Sequence, residues 1–290
     1  SPRWDLRSPC VHLVARRYTQ LITLFTPPSP AVNPDSRAPT LVAYNRPVMR
    51  GGIVADDLTG AGDPAAQFVR AGWQTELQLR PGKSGAQVVA VTTDSRNLEP
   101  ADAATAVATA VTQLRATGVI HLYKKIDPTL RGHLRAELGA ALDAWSPHAI
   151  AVVCPAFPAM GRTLVDGTLR VNGVPVSDTA LGADPMTPVT ESHLPTLLHA
   201  AHVARHAGES AQALADRIGA SGPVAVVDAA EDDDLRRVAE ALLLLGPGAI
   251  SVGSAGLAHH LAELWPRDKG IPLGISSVSS VVKGNNAGSI

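Results

Sequence analysis

The sequence has little cysteine and few aromatic residues. The two cysteines are Cys10 and Cys154, and the second of them closes an apolar run. This number does not support a disulfide framework and fits a reducing compartment, so we expect a cytoplasmic protein. Phe, Trp and Tyr together make up 3% of the residues, so the core has to be built from Ala, Val, Leu and Ile.

The charge balance and the hydropathy exclude further classes of protein. Lys and Arg number 25 and Asp and Glu 26, which does not favour binding to nucleic acid or to an anionic membrane surface. A window of about 18 uninterrupted apolar residues does not occur, so we expect no transmembrane helix. At 290 residues the chain can bury a core and form one large domain or two ordinary ones.

Residues 1–48 differ in composition from the rest of the chain. They are rich in arginine and proline, contain only Asp5 and Asp35 as acidic residues, and precede the first methionine, Met49. Arginine-rich, acid-poor leaders are typical of targeting peptides. The alternative, which we favour, is extra sequence upstream of the true start. Under either interpretation we predict a disordered or non-native leader over 1–48, outside the fold.

From Met49 onward, apolar strand-like runs alternate with helical patterns. Strands are predicted at 52–56, 75–79, 87–92, 119–124, 149–154, 224–228 and 249–253, and helices at 63–71, 101–117, 130–145, 191–204, 209–219, 231–245 and 255–264. This alternation predicts an α/β fold, a mainly parallel sheet with helices on both faces in a Rossmann-like arrangement. A period-two pattern around Asn172-Gly173 adds a small β-hairpin near 164–176.

Polar clusters follow four of the predicted strands. The clusters are Asp56-Asp57, then Thr93-Asp94-Ser95-Arg96, then Lys124-Lys125, and finally the segment CPAFPAMGR, which contains Arg162. In open parallel sheets, functional groups gather beyond the carboxyl ends of the strands. Because unpaired buried carboxylates are costly, this concentration of charge indicates a functional site.

The clusters combine positive and negative side chains. The cations are Arg96, Lys124, Lys125, Arg131 and Arg162, and the carboxylates are Asp56, Asp57, Asp94 and Asp127. Arginine holds a carboxylate or a phosphate by a planar two-pronged contact, and an aspartate can accept a hydroxyl proton during group transfer. Such a site suits a small polyhydroxylated acid. The alternative interpretation is a salt-bridge network that ties loops together.

The two adjacent aspartates are predicted to have different roles. Neighbouring residues of a strand point to opposite faces, unless a turn at this point brings Asp56 and Asp57 together. Asp57 lies farther beyond the sheet edge, so we predict that it faces the substrate hydroxyls. Asp56 is predicted to bind backbone N–H groups of the Thr59-Gly60 turn or a neighbouring cation.

The histidines do not predict a metal site. His199, His202 and His206 are spaced for one helical face, but the sequence shows no carboxylate or cysteine partner for them. We interpret them as ordinary histidines on a helix surface. His259 and His260 are neighbours on a predicted helix and are expected to point apart.

Two glycine-rich segments raise the question of a phosphate site. In PGKSG the first glycine of a phosphate loop would fall at Leu77, so the pattern fails and a surface turn is predicted. Gly253 and Ser254 open a predicted helix and could bind an anion through free backbone N–H groups. Close helix packing explains these two residues equally well.

Six motifs occur in one order between about residues 50 and 265. They are IVADDLTGAGD, TTDSRNL, YKKIDPTLRGHLRAEL, CPAFPAMGRTLVDGTLRVNGVPVSDT, VVDAAEDDDL and VGSAGLAHHLA. Together they resemble the amino-terminal, substrate-binding half of the four-carbon acid sugar kinases. The resemblance implies a sugar-acid-binding α/β domain at 49–265 and phosphorylation, by ATP with Mg²⁺, of an acid such as threonate, erythronate or 3-oxo-tetronate.

The resemblance also implies roles for individual residues. The implied substrate-binding residues are Asp56, Asp57, Asp94, Ser95, Arg96, Lys125, Asp127, Arg131 and Arg162, to which the cluster of cations adds Lys124. Arg96 and Arg162 are assigned to the substrate carboxylate and Asp57 to a hydroxyl. Lys125 and Arg131 would neutralise charge as the phosphoryl group arrives. Asp57 and Lys125 are thus the implied catalytic residues. Gly253 and Ser254 are predicted as cofactor contacts from the glycine-rich turn that opens the last helix.

The sequence departs from the family pattern at two places. Pro128 stands where the family usually has serine, which removes a hydroxyl and a backbone N–H. After Trp265 the stretch 266–290 resembles at most a linker and the truncated start of a nucleotide-binding domain. We therefore expect a carboxy-terminal nucleotide-binding half or a homo-oligomer as partner. The alternatives are a catalytically inactive sugar-acid-binding module and a phosphatase or hydrolase that uses the paired aspartates.

Overall fold

A computed structural model describes residues 51–184 and 187–266 of the chain. The predicted leader at 1–48 and residues 267–290 of the predicted linker lie outside the described residues. The described part contains an eight-stranded sheet, all of whose strand pairs are parallel, and a three-stranded antiparallel sheet. The predicted α/β fold is therefore confirmed.

The strands and helices alternate along the chain. The strands are β1 (Gly51–Ala55), β2 (Thr75–Gln78), β3 (Val88–Thr92), β4 (His121–Lys125), β5 (Ile150–Cys154), β6 (Arg162–Val165), β7 (Thr168–Val171), β8 (Val174–Pro175), β9 (Ala201–Val203), β10 (Val224–Val227) and β11 (Ala249–Gly253). The α-helices are α1 (Leu58–Arg70), α2 (Pro100–Ala116), α3 (Leu134–Trp145), α4 (Leu194–Leu198), α5 (Ala211–Gly219), α6 (Asp232–Leu245) and α7 (Ala255–Leu264).

The order of strands in the large sheet is β2-β3-β1-β4-β11-β5-β10-β9. The chain builds β2 and β3 on one side of β1 and then crosses over to place β4 on the other side. Strand order therefore reverses beside β1. In open α/β sheets, ligands bind in the crevice beyond the carboxyl ends of the strands at such a reversal.

The central strands are buried on both sides. Every residue of β1, β3 and β11 is buried, although successive side chains point to opposite faces of a sheet. Helices therefore cover both faces. One group pairs α2 with α3, and a second group forms the packed series α5, α6, α7 and α1.

Aromatic side chains at the ends of α1 and α7 pack these helices together and against the start of β1. The Trp265 ring lies 5.0 Å from that of Phe68, between ring centroids, and a Cβ added to Gly51 would lie 2.6 Å from Trp265 Cζ3. The indole Nε1 of Trp73 donates a hydrogen bond of 2.7 Å to the carbonyl oxygen of Ala262. Gly51 thus leaves the space that Trp265 fills in the core.

The predicted hairpin near 164–176 is confirmed as part of the three-stranded sheet β6-β7-β8. Its second turn lies at Asn172 and Gly173, whose φ angles are 51° and 83°, as two-residue hairpin loops require. The first turn, at Asp166 and Gly167, is fastened to the end of β10. There both carboxylate oxygens of Asp228 accept backbone N–H groups of the turn, at 3.1 and 2.9 Å.

The prediction of a single helix at 191–204 is wrong. Helix α4 spans only Leu194–Leu198, and His199 ends it with a left-handed φ of 52°. The chain then forms β9, which pairs with β10. His202 lies on this strand, with Nε2 2.9 Å from Asp228 Oδ2, so the three histidines do not share a helical face. An apolar stretch this short satisfies a helical period and a strand equally well.

Candidate functional site

The two aspartates after β1 lie side by side rather than on opposite faces. Strand β1 ends at Ala55, before both of them. Asp57 is the N-cap of α1, with an extended backbone and with Oδ1 accepting the Gly60 N–H at 2.6 Å. The strand does not continue through the pair, so the alternative of a turn that brings Asp56 and Asp57 together holds in place of the opposite faces. The N-cap also explains why α1 begins five residues before the predicted helix.

Arg96, on the loop after β3, joins both carboxylates. Its Nε and Nη2 donate to Asp56 Oδ2 and Oδ1 at 2.6 and 3.1 Å, and its Nη1 lies 2.7 Å from Asp57 Oδ2. Its Nη2 also lies 3.6 Å from Asp127 Oδ2. The backbone N–H groups of Ser95 and Arg96 donate to the Asp56 carbonyl, which holds this loop against the end of β1. One guanidinium thus organises three carboxylates.

The charges of the Arg96–Asp56 pair are mutually stabilised. Burial alone would raise the pKa of Asp56, but the hydrogen bonds from Arg96 and the charges of Lys124, Arg96 and Lys125 outweigh it and lower that pKa. Burial likewise opposes the charge on Arg96, but the hydrogen bond with Asp56 and the neighbouring carboxylates raise its pKa. Both groups are therefore ionised at neutral pH.

Asp127 is fixed by the loop that follows β4. Its Oδ1 accepts the backbone N–H and the hydroxyl of Thr129 at 2.8 and 2.7 Å, and its Oδ2 accepts Arg131 Nε at 2.7 Å. Leu130 and Gly132 have left-handed φ angles of 65° and 95°, which turn the chain back toward the site. Because Thr129 supplies both donors to Asp127 Oδ1, Pro128 leaves this carboxylate with its partners.

Lys125 is a largely buried cation that forms no ion pair among the described residues. It is 2% exposed, and within the described residues its Nζ makes no hydrogen bond and no ion pair. Burial lowers the pKa of Lys125, although Asp127, Asp56, Asp63 and Asp57 all act to raise it. A Cβ added to Gly60 would lie 3.4 Å from Lys125 Nζ, so the ammonium group lies against the first turn of α1. Packing alone does not account for such a charge.

Lys124, the residue before Lys125, contacts Glu137 and the backbone instead of the Asp56–Arg96 group. Its Nζ lies 2.7 Å from Glu137 Oε2 on α3 and donates to the Lys125 carbonyl at 2.9 Å. The other oxygen of Glu137 accepts the Ser95 hydroxyl at 2.8 Å. The predicted substrate residues Lys124 and Ser95 thus contact the protein here. Sequence reasoning missed Glu137, although a buried lysine pair signals the need for a buried counter-charge.

Two predicted site residues lie apart from the Asp56–Arg96 cluster. Asp94 is exposed, has a left-handed φ of 49°, and lines a cavity of about 630 Å³ with Leu58 and Leu79. Arg162 Nη1 donates to the Met160 carbonyl at 2.6 Å, while its Nε is buried without a hydrogen-bond partner among the described residues. The structure therefore brings together Asp56, Asp57, Arg96, Lys125, Asp127 and Arg131, but not these two.

Gly253 and Ser254 are engaged in close packing. A Cβ added to Gly253 would lie 2.5 Å from the Cys154 carbonyl oxygen. The Ser254 hydroxyl donates to the Ala156 carbonyl at 3.0 Å and caps α7 by accepting the Gly256 N–H at 3.3 Å. These contacts favour the packing interpretation. The assignment of the two residues to a nucleotide stays a prediction.

His259 and His260 do not point apart as expected. Their rings meet edge to face with centroids 5.1 Å apart. The carboxylate of Glu263, on the same helix, lies close to both rings.

In the described ranges 51–184 and 187–266, none of the helices has the length and the apolar character that a membrane span requires.

Comparison with known families finds one match that covers most of the chain. The model of the sugar-binding N-terminal domain matches residues 51–261. Two curated relatives are named D-threonate kinase: one of Bordetella bronchiseptica, 55% identical over 222 residues, and one of Salmonella typhimurium, 36% identical over 233 residues. The matched regions cover 74% and 75% of this chain but only 55% and 54% of these relatives. The chain thus spans about half their length.

Solved structures of similar proteins also match about three quarters of this chain. A domain of unknown function from Bordetella bronchiseptica, solved with bound citrate as a domain-swapped dimer, is 54% identical with a TM-score of 0.73. The match covers 75% of this chain and 57% of that one. A protein of Haemophilus influenzae is 26% identical with a TM-score of 0.66, covering 73% of this chain and 55% of that one.

Proposed function

Because the chain belongs to the family of the sugar-binding N-terminal domain, we propose that it binds a four-carbon sugar acid and presents one hydroxyl of that acid for phosphorylation. Relatives named D-threonate kinase and D-erythronate kinase support this choice of substrate. The chain spans about half the length of these relatives, so the complete kinase reaction is part of the proposal.

The observation that carries the proposal is the unpaired buried charge of Lys125 at the point where strand order reverses. Burial of the Lys125 side chain disfavours its charge although four carboxylates act to support it. Its Nζ makes no hydrogen bond among the described residues, and an anionic ligand would supply a charge-assisted one. We therefore assign the carboxylate of the substrate to Lys125. Arg131 is paired with Asp127 but its side chain is 35% exposed, so its remaining N–H groups can also donate to the substrate at the edge of the site. The citrate bound to a solved relative is a polycarboxylate, in keeping with this assignment.

Asp57 is the proposed partner of the substrate hydroxyl. Its side chain is 28% exposed, and the Gly60 N–H and Arg96 Nη1 hold its two oxygens in place. A carboxylate oxygen accepts more than one hydrogen bond, so Asp57 can still accept a hydroxyl and take its proton during transfer. Asp56 and Asp127 would hold Arg96 behind it. Lys125 and Arg131 would also offset the charge of the arriving phosphoryl group.

The phosphoryl donor in this proposal is ATP with Mg²⁺. Within the described residues, Gly253 and Ser254 at the amino terminus of α7 are engaged in packing contacts, so we assign no step of the reaction to them. We place the donor site on a carboxy-terminal nucleotide-binding half or on another copy of the protein. The domain-swapped dimer of the solved relative is one precedent for association.

A second candidate function is binding without catalysis. The observation that favours it is that the described residues supply the groups of the proposed sugar-acid site, whereas no donor site is assigned among them. In that case the chain would hold the sugar acid, and phosphoryl transfer would require the remaining half of the kinase.

The two candidates differ in a direct experiment. The chain is titrated calorimetrically with D-threonate, D-erythronate and a 3-oxo-tetronate, and is then incubated with each acid, ATP and Mg²⁺ while ADP is measured. We expect saturable binding of at least one acid. Release of ADP by this polypeptide alone would contradict the binding-only candidate, and absence of binding to all three acids would contradict the proposed substrate class.

A further inference from the structure

A buried nitrogen on α7 has no protein partner. His260 is 5% exposed, and its Nδ1 makes no hydrogen bond among the described residues. Buried polar atoms in folded proteins are almost always hydrogen-bonded, so an exception calls for an explanation, and a bound water or ion is one. The proposed sugar-acid site does not use this histidine, so the nitrogen needs a separate explanation.

The other ring nitrogen of His260 is held by a carboxylate. Nε2 lies 3.2 Å from Asp232 Oδ1 at the start of α6. When Nε2 donates its proton to Asp232, Nδ1 of the neutral ring is left with a free lone pair. Histidines that bind metals show this arrangement, because a carboxylate on the far nitrogen fixes the tautomer and orients the ring.

Two further ligand groups lie beside His260 on the same helix. His259 Nε2 is 3.8 Å from Glu263 Oε1. One ligand atom from each of His259, His260 and Glu263 lies within 4.8 Å of the other two. Ligand atoms around a tetrahedral zinc ion are about 3.4 Å apart, given bonds of roughly 2.0–2.1 Å. The side chains of His259 and Glu263 are about half exposed, so small rotations of these two can close the difference.

From this geometry we propose that His259, His260 and Glu263 form a binding site for a divalent transition-metal ion of the zinc type. Two imidazoles and one carboxylate are ligands that suit Zn²⁺ and leave a fourth position for water. Asp232 acts as the positioning residue of His260. The site lies on α7, whose helical backbone holds the three ligand residues at fixed spacings.

The test is a titration of the full chain with Zn²⁺, and with Co²⁺ as a spectroscopic probe. We expect binding to this site in the wild type, with visible absorption from Co²⁺ bound by nitrogen and oxygen ligands. The variants His259→Ala and Glu263→Gln change half-exposed side chains and should keep the fold. Each should weaken the affinity at least about tenfold, and Asp232→Asn should also weaken it by about tenfold or more.

The matched control is His148→Ala, which removes an exposed histidine elsewhere on the surface. Its affinity for Zn²⁺ should equal that of the wild type. Failure of the wild type to bind Zn²⁺ would overturn the proposal. Unchanged affinity in the double variant His259→Ala/Glu263→Gln would overturn it as well, because any ion would then be bound elsewhere.

Discussion

Two nitrogens of Arg96 hold the carboxylate of Asp56, with Nε 2.6 Å from Oδ2 and Nη2 3.1 Å from Oδ1. The same guanidinium contacts Asp57 through Nη1. These contacts favour a positioning role for Arg96 over the direct contact with a substrate carboxylate that the family resemblance implied. Among the described residues of the site, Lys125 is the cation that makes no ion pair, and it lies two residues before Asp127 at the end of β4.

Replacing Asp56 by Asn should change how stability depends on pH. Because the folded pKa of Asp56 is lowered, its ionisation stabilises the fold above the unfolded pKa of about 3.9. This contribution is lost as pH falls through the still lower folded pKa. Asp56→Asn should cost about 1.5–3 kcal/mol at pH 7 and lose less stability in acid than the wild type. Urea unfolding of the wild type and of Asp56→Asn from pH 7 to pH 3 measures the free energy of unfolding and its pH dependence. Parallel dependences on pH would contradict the expectation.

Replacing Asp57 by Asn should affect binding far more than folding. Asn is about as good an N-cap as Asp, so the hydrogen bond to the Gly60 N–H should be preserved. The ion pair with Arg96 is lost, but Arg96 keeps its two contacts with Asp56, so the melting temperature should fall only modestly. Loss of a charge-assisted hydrogen bond to the substrate costs about 1.5–3 kcal/mol, or roughly tenfold or more in affinity. Calorimetry with the preferred acid measures this loss. Asp94→Asn is the matched control, since Asp94 lies outside the cluster, and equal affinities of the two variants would argue against the role of Asp57.

Glu137→Gln should destabilise the fold strongly. The change leaves Lys124, which is 1% exposed, without its negative partner, and breaking one side of a buried ion pair typically costs about 3–5 kcal/mol. Glu240→Gln removes an exposed partner of Arg236 and should cost at most about 0.5 kcal/mol. Urea unfolding compares the two variants. Similar small losses in both would mean that the Lys124–Glu137 pair does not support the site.

Gly60→Ala should disturb the site although alanine favours helices. The added Cβ would collide with Asp57 Oδ1 and lie 3.4 Å from Lys125 Nζ, so affinity for the sugar acid should fall. Gly139→Ala, on an exposed position of α3 with nothing within 4 Å of the added Cβ, should stabilise by up to about 1 kcal/mol. Calorimetry and thermal melting distinguish the variants. Wild-type affinity in Gly60→Ala would show that the first turn of α1 is not part of the site.

The sequence predicted most of the large sheet because its strands are nearly continuous apolar runs separated by helical patterns. Strand β9 was missed because Ala201–Val203 is short and continues the apolar spacing of α4. The carboxylates and cations at the ends of β1 and β4 could be predicted from the common edge of a parallel sheet. Which of these side chains pair with one another could not be predicted. The contact of Arg96 with both aspartates depends on the turn that begins at Asp56, and the partner of Lys124 is Glu137 on α3.

The most direct measurement of the central claim is the affinity of Lys125→Met for the four-carbon acid, compared by calorimetry with the wild type and with the surface control Lys83→Met. Because burial lowers the pKa of Lys125, replacing the ammonium by an apolar group should leave the melting temperature unchanged or raise it. We predict that this variant keeps its stability and loses at least about tenfold in affinity, while Lys83→Met binds like the wild type. Wild-type affinity in Lys125→Met would contradict the claim that the unpaired charge of Lys125 binds the substrate.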